Sequence, residues 1–379
     1  MCAAAGAATM CHDASLGARG DGHESEMGGV SAMSATMRQV RVAGLNEVTV
    51  VDSPVPEPGP GEVRVAVALA GICGSDTHAV AGHHPLLPPP YLPGHELVGR
   101  VDRVGPDGDG TLAGARVVVK PNVDCGECVN CRAGRSNACQ TLQWVGCDPS
   151  GALPGGMAPY VVVPERNVFP VPDEVADVDA VLVECLATPV HAARIAGDLT
   201  GARVVVIGAG TIGLLSVVAA RRAGAGVVVV SDPVPAKRDR AVGLGADATV
   251  DAVSPDFTAS VHAALGGPAD VVFDCVGIEA SIRQSVDVLR RAGTLLIVGV
   301  PPRDGVVPLP LFQDWELRVQ GCANYTPQDI EAAIAIAADG GLPGDEIVSA
   351  TYGVEDAVLA FADAALGTAG KVVIAPASS

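Results

Sequence analysis

The sequence predicts an α/β protein in two parts: a β-rich region, then a doubly wound parallel sheet flanked by helices. Three observations carry this expectation. A chain of 379 residues exceeds what one hydrophobic core usually supports. Nearly half of it (49%) is apolar but only 3% is aromatic, so the core is aliphatic, and its Val-rich runs broken by Gly suit buried parallel strands. Part-way along, short strand-like runs divided by Pro and Gly give way to strands alternating with helix-length stretches.

Residues 1–36 are Ala, Gly, Ser and Met without period, interrupted by Asp, His and Glu. They lack the continuous apolar stretch of a secretory signal. They are expected to be a disordered tail, or to precede a true start at Met33 or Met37. Residues 37–187 hold the β-rich part, including "GEVRVAVALAGICG", "ELVGRVDRVG", "ARVVVKP" and "APYVVVPERNVFPVP". Residues 188–324 open with a helical stretch in "PVHAARIAGDL" and continue through apolar runs at Val204–Ile207, Val227–Val230, Val271–Phe273 and Leu295–Val298. Each of the first three runs is followed by Gly or Asp and a helical pattern, as βαβ units require. Residues 325–379 give one more helix, Ile330 to Ala338, and strand pieces ending in "GKVVIAP". The chain contains no internal repeat.

A formal charge of −19 argues against nucleic acid or an anionic membrane surface as partner, since both require basic patches. The most hydropathic stretch, Val204 to Ala220, carries three glycines in its first half, so it reads as strand, turn and buried helix rather than a membrane span. Eleven cysteines, four of them clustered, suit an intracellular metalloprotein better than a disulfide scaffold. A cytoplasmic location is expected.

The strand "VVVI" runs directly into Gly208-Ala209-Gly210-Thr211-Ile212-Gly213, followed by a helix and a second strand ending at Asp232. In a dinucleotide fold Gly208 permits the tight turn, Gly210 lets the backbone approach a pyrophosphate, and Gly213 allows close helix–strand packing. The helix N-terminus then turns free N–H groups toward the phosphates. Asp232, about 20 residues on, stands where a carboxylate bonds the adenosine ribose and repels a 2′-phosphate, which favours NAD over NADP. Lys237 and Arg238 nearby are cations that could accommodate that phosphate.

Cys125, Cys128, Cys131 and Cys139 are separated by two, two and seven residues. Four thiolates this close in sequence can surround one tetrahedral ion, and zinc is the expected occupant. A ferredoxin cluster would place its fourth cysteine three residues on and follow it with proline. A second group comprises Cys73, His95 and Glu96, with Glu184 further along. Beside a nucleotide fold and a structural zinc lobe, this combination reads as an open catalytic zinc site.

These motifs together, "GICGSDTH", "PGHELVG", the four-cysteine lobe, "GAGTIG" with Asp232, and the terminal "GKVVI", resemble the zinc-dependent medium-chain alcohol and polyol dehydrogenase family from Met37 to Ile374. The resemblance implies a GroES-like catalytic domain, a Rossmann NAD-binding domain and a return of residues 325–379 to the catalytic domain. It implies two zinc ions per subunit, a homodimer or homotetramer, and hydride transfer between NAD and a secondary alcohol, polyol or related hydroxy compound. Cys73 and His95 match zinc ligands, and Glu96 matches a position at or just behind the metal. Glu184 resembles the glutamate of the sorbitol, threonine and butanediol branch, although Cys185 stands where that branch has proline. Ser75 and His78 match a proton relay, Asp76 an acid orienting His95, and Val276, Val298 and Lys237 cofactor contacts. Ala79, Trp144 and Tyr325 are expected to line the pocket. An L-threonine 3-dehydrogenase, a primary alcohol dehydrogenase, and a redox sensor or binding protein on the same scaffold are the alternatives.

Overall fold

The computed structural model describes residues 35–301, 303–367 and 370–376. Residues 1–34, which make up nearly all of the expected tail, lie outside them. Among the described residues no helix is long and apolar enough to cross a membrane.

The first part begins with an antiparallel ribbon, β1 (Thr36–Gly44) and β2 (Glu47–Pro54). They turn at Leu45–Asn46, where Asn46 takes the left-handed conformation that Asn tolerates. There follow β3 (Glu62–Gly71), the short helix α1 (Gly74–Val80), β4 (Glu96–Val104) and β5 (Arg116–Val119). The cysteine lobe carries a two-rung ribbon, β6 (Asn122–Val123) with β7 (Gln143–Trp144), and one helical turn, α2 (Val129–Arg132). Strands β8 (Tyr160–Pro164) and β9 (Val168–Pro170) complete the region. After the short α3 (Asp177–Ala180), helix α4 (Val183–Ala196) leads into the second part. This helix starts six residues before Pro189, the start expected from sequence, and runs through the proline, placing Glu184 in its first turn.

The second part alternates strand and helix: β10 (Arg203–Ile207), α5 (Thr211–Arg222), β11 (Val227–Ser231), α6 (Pro235–Gly243) and β12 (Ala248–Val250). Then come α7 (Phe257–Leu265), β13 (Ala269–Asp274), α8 (Glu279–Val288), β14 (Leu289–Ile297), α9 (Leu309–Asp314) and β15 (Arg318–Gly321). The six strands pair in parallel in the order β12-β11-β10-β13-β14-β15, the doubly wound pattern whose order reverses between β10 and β13. Helices on both faces bury β10, β11 and β13 almost wholly, so their sequences are continuous Val runs rather than alternating ones.

The chain then gives α10 (Pro327–Ala338), α11 (Gly344–Ile347), β16 (Val348–Gly353), α12 (Ala357–Leu366) and β17 (Lys371–Ala375). Strands β16 and β17 join the first sheet, in the order β16-β17-β3-β4-β5-β9, with β8 also on β3. One aliphatic core fills the first sheet and another lies under α7 and α8. The largest runs continuously from Val98 and Val118 of the first sheet through α4, α5 and α10 to Val204 and Val206 of the second. Burial of apolar surface on this scale is the dominant favourable term, about 25 cal/mol per Å².

Candidate active site and metal centres

The lobe brings its four thiols together without help from distant chain. Cys128 Sγ lies 3.5 Å from Cys131 Sγ and 4.0 Å from Cys139 Sγ, and Cys139 Sγ lies 3.5 Å from Cys125 Sγ. Tetrahedral zinc with Zn–S near 2.3 Å needs sulfurs about 3.8 Å apart, so the donor set fits that ion. Backbone N–H groups of Cys125, Cys128, Cys131 and Thr141 point at the sulfurs, as thiolates require. Those donated by Gln140 and Cys131 lower the Cys128 thiol to about 6.

The second cluster is assembled by sheet register. Strands β3 and β4 pair with Gly71 opposite Glu96, which brings Cys73, two residues past Gly71, beside His95 and Glu96. A side chain at Gly71 would collide with Glu96, its Cβ falling 2.1 Å from Oε2, so the register itself demands glycine. Ligand atoms of Cys73, His95 and Glu96 all lie within 4.8 Å of one another, a sulfur, nitrogen and oxygen set suited to zinc. A neighbouring triad, Glu96, Glu184 and Cys185, meets the same limit, so Glu184 reaches the first cluster by way of Glu96.

Lys371, at the start of β17, answers the buried charge. Its Nζ donates to both Glu96 oxygens, at 2.7 and 2.6 Å, and to the Ile72 carbonyl at 3.1 Å. Burial opposes ionisation of Glu96, but the ammonium outweighs it and holds the carboxyl below its ordinary value. Glu184 has no cation of its own. Burial pushes its carboxyl up to about 7, and Tyr325 Oη donates to its Oε1.

Around His95 the arrangement differs from expectation. Asp76 is fully buried but makes no hydrogen bond to His95; its oxygens accept from Tyr91 Oη (3.0 Å) and the Cys73 N–H (3.1 Å), capping α1. His95 Nδ1 instead faces Cys147 Sγ at 3.3 Å, and Trp144 meets its ring edge-on at 6.0 Å between centroids. Among the described residues, Ser75 Oγ and Trp144 Nε1 are buried without a hydrogen-bonding partner, an expensive state unless a ligand supplies one. His78 is exposed on α1, and Ala79 is packed in the core.

A cleft of about 490 Å³ joins this cluster to the glycine turn: Cys73, His78 and Glu96 line one end, Gly210, Thr211 and Lys237 the other. That volume lies within the range of ligand pockets. Gly208 takes φ +93°, and a Cβ on Gly213 would lie 1.7 Å from the Gly208 carbonyl oxygen, while Gly210 faces open space. Ile212 also lines the cleft. The turn therefore fits a dinucleotide, with the N-terminus of α5 behind it. Asp232 is turned inward: its Oδ2 accepts from the Ala209 N–H (2.9 Å) and Oδ1 from that of Val234 (2.8 Å). Val276 stands over Gly208, and Val298 is buried in the aliphatic core.

Cys147, Lys371, Asn137 and the buried amide of Asn122 opposite Trp144 were not singled out as site residues from sequence. Lys371 alone carried a signal, within "GKVVI".

Sheet, cleft and paired metal clusters define a zinc-dependent dehydrogenase that acts with a nicotinamide dinucleotide. The family profile described as the alcohol dehydrogenase GroES-like domain matches residues 59–173, and that of the zinc-binding dehydrogenases matches residues 211–339. The L-galactonate-5-dehydrogenase of Escherichia coli (strain K12) is 32% identical over 299 residues, covering 79% of this chain and 86% of that protein. The L-threonine 3-dehydrogenase of Anaeromyxobacter dehalogenans (strain 2CP-C) is 33% identical over 334 residues, 85% and 93%. A solved zinc-binding dehydrogenase from Sinorhizobium meliloti 1021, bound to NADP, superposes with TM-score 0.84 at 32% identity, covering 90% of this chain and 100% of that one. The chain belongs to the zinc-binding alcohol and polyol dehydrogenase family, whose members interconvert hydroxy compounds and their carbonyl partners.

Proposed function

We propose that this protein oxidises a secondary hydroxyl of a polyol or sugar acid to a ketone, with NAD as hydride acceptor and two zinc ions per subunit. The observation that carries the reading is the single cleft shared by the Cys73 cluster and the glycine turn. Cys73, His95 and Glu96 would hold the catalytic ion, with Glu184 beside Glu96. Cys125, Cys128, Cys131 and Cys139 hold the structural ion. When bound, zinc supplies a Lewis acid that makes a hydroxyl more acidic, and the nicotinamide supplies the hydride acceptor.

The chain's own groups do the rest. Ser75 Oγ, buried and unpartnered, accepts the proton of the substrate hydroxyl as it gives up its own, and His78 at the cleft wall takes that proton toward solvent. Trp144 Nε1 offers a donor to a second substrate hydroxyl. Cys147 holds the His95 ring, and Asp76 fixes the turn that carries Cys73 and Ser75. Asp232 buttresses the glycine turn and disfavours a 2′-phosphate, while Lys237 lines the ribose end.

The test is nicotinamide reduction by the purified protein with sorbitol, L-galactonate, L-idonate, 2,3-butanediol and L-threonine, with NAD or NADP, before and after chelation. Turnover of a polyol or sugar acid with NAD that chelation abolishes is expected. Preference for NADP overturns the cofactor assignment, preference for threonine overturns the substrate class, and turnover that survives chelation overturns the zinc mechanism.

A further inference from the structure

The four-cysteine lobe meets the segment that carries Tyr325 through Asn137. Asn137 lies on the turn Ser136–Ala138, two residues before Cys139, and its side chain is buried. Its Nδ2 donates to the Ala323 carbonyl at 2.8 Å and meets His191 Nε2 at 3.3 Å. Its own backbone carbonyl accepts from Asn324 Nδ2 at 3.3 Å. Asn137 thus clamps residues 323 and 324 from both sides, and the next residue is Tyr325, whose hydroxyl donates to Glu184.

The clamp has a rigid back wall. His191 Nδ1 lies 2.9 Å from Asp329 Oδ2 and 3.0 Å from Arg194 Nη2, while its Nε2 faces Asn137 Nδ2. Arg194 and Thr326 hold the same carboxylate, at 2.7–2.9 Å. Glu184 and His191 sit on the same helix, α4, two turns apart. The 323–329 segment is therefore pinned to α4 at Glu184, through Tyr325, and at His191, through Asp329, with Asn137 bonded to residues 323 and 324 just ahead of both and to His191. Asn324 holds a left-handed φ of 54°, the bend that swings Tyr325 inward.

We propose that Asn137 is a positioning residue: the lobe, once its metal fixes Cys139, sets Tyr325, and Tyr325 sets the Glu184 carboxyl in the reaction site. The lobe is then a template for the catalytic cluster as well as a local staple. This rests on reading Glu184 as part of that site. A side-chain network of this kind is apportioned cleanly only by a double-mutant cycle.

The experiment compares the zinc-loaded wild type with Asn137→Ala, Tyr325→Phe and the double variant, measuring kcat, the KM for NAD and thermal unfolding. A parallel set carries cobalt at the catalytic site and zinc in the lobe, and its ligand-field band is recorded. Asn137→Ala is expected to lower kcat by about tenfold, in the range seen for residues behind metal ligands. The KM for NAD should stay within twofold and the cobalt band should shift. In the Tyr325→Phe background the same substitution should cost less than twofold and leave the band in place. Equal losses in both backgrounds, or a lowered unfolding temperature with kcat and band unchanged, overturn the proposal.

Should Asn137→Ala not fold, Asn324→Gly keeps the left-handed backbone and removes only the side-chain bond. The same pattern is then expected at smaller amplitude, and its absence counts against the proposal. A wild type that reduces no nicotinamide defeats the functional reading alone, since the cobalt band still reports the coupling.

Discussion

The two candidate metal centres are built on opposite plans. The lobe gathers four like ligands from a single short stretch, Cys125 to Cys139, at a half-exposed surface. The catalytic cluster gathers unlike ligands from the ends of β3 and β4 and the start of α4, and buries His95, Glu96 and Glu184. A lobe folded by its own ligands tolerates change elsewhere in the protein. A cluster set by sheet register depends on every strand that fixes the register, and Ser75 Oγ and Trp144 Nε1 near it are buried without partners among the described residues.

The largest effect should separate the two centres. Cys73→Ser is expected to lower kcat/KM by about 10³-fold, several kcal/mol of lost transition-state stabilisation, while thermal unfolding moves little. Cys128→Ser should do the reverse: loss of lobe metal and a clear fall in unfolding temperature, with activity falling only about tenfold while the protein stays folded. Steady-state kinetics, metal analysis and calorimetry on both variants check this, and equal profiles would erase the distinction.

An intermediate effect sharpens it. Lys371→Met strands Glu96 as a buried unpaired charge and should cost about 3–5 kcal/mol in denaturant unfolding. Glu96→Gln with Lys371→Met should recover most of that stability but not activity.

The smallest effect concerns pH. Burial alone would raise the Asp329 carboxyl, but His191, Arg194 and Thr326 outweigh it and hold the group well below the usual carboxylate range. A depressed carboxyl contributes stability that is present above its unfolded value near 3.9 and is lost as pH falls toward the folded value. Thermal unfolding should therefore drop steeply below about pH 4, and Asp329→Asn, less stable at neutral pH, should converge with the wild type in acid. Parallel curves across that range would remove Asp329 from the acid response.

What the sequence disclosed follows the same division. The lobe and the glycine turn were legible because all their ligands and turn residues are near neighbours. The Val runs disclosed β10, β11 and β13 because strands buried on both faces leave no polar alternation. Strands β12 and β15 were missed: at the sheet edges, three and four residues long, they carry no such run. The extent of α4 was hidden by Pro189, whose usual helix-breaking effect the packed core overrides. Asp76, which the resemblance makes the acid orienting His95, does lie within 4.8 Å of a His95 ring nitrogen, but its hydrogen bonds go to Cys73 and to Tyr91, from a segment bridged to β1. The Glu96–Lys371 pair spans 275 residues and the Asn137–Ala323 bond 186. No local pattern encodes such distances.

The return of β17 to β3 has a consequence for synthesis. Glu96 emerges from the ribosome long before the residue that neutralises it, because Lys371 lies near the far end of the described chain. Until that strand arrives and pairs Val373 with Gly71, the nascent first sheet cannot close over Glu96 without burying an unbalanced charge. A polypeptide released early, or clipped ahead of Lys371, is thereby marked as unfinished by its own electrostatics. Quality control would meet it open at the candidate metal cluster of Cys73, His95 and Glu96.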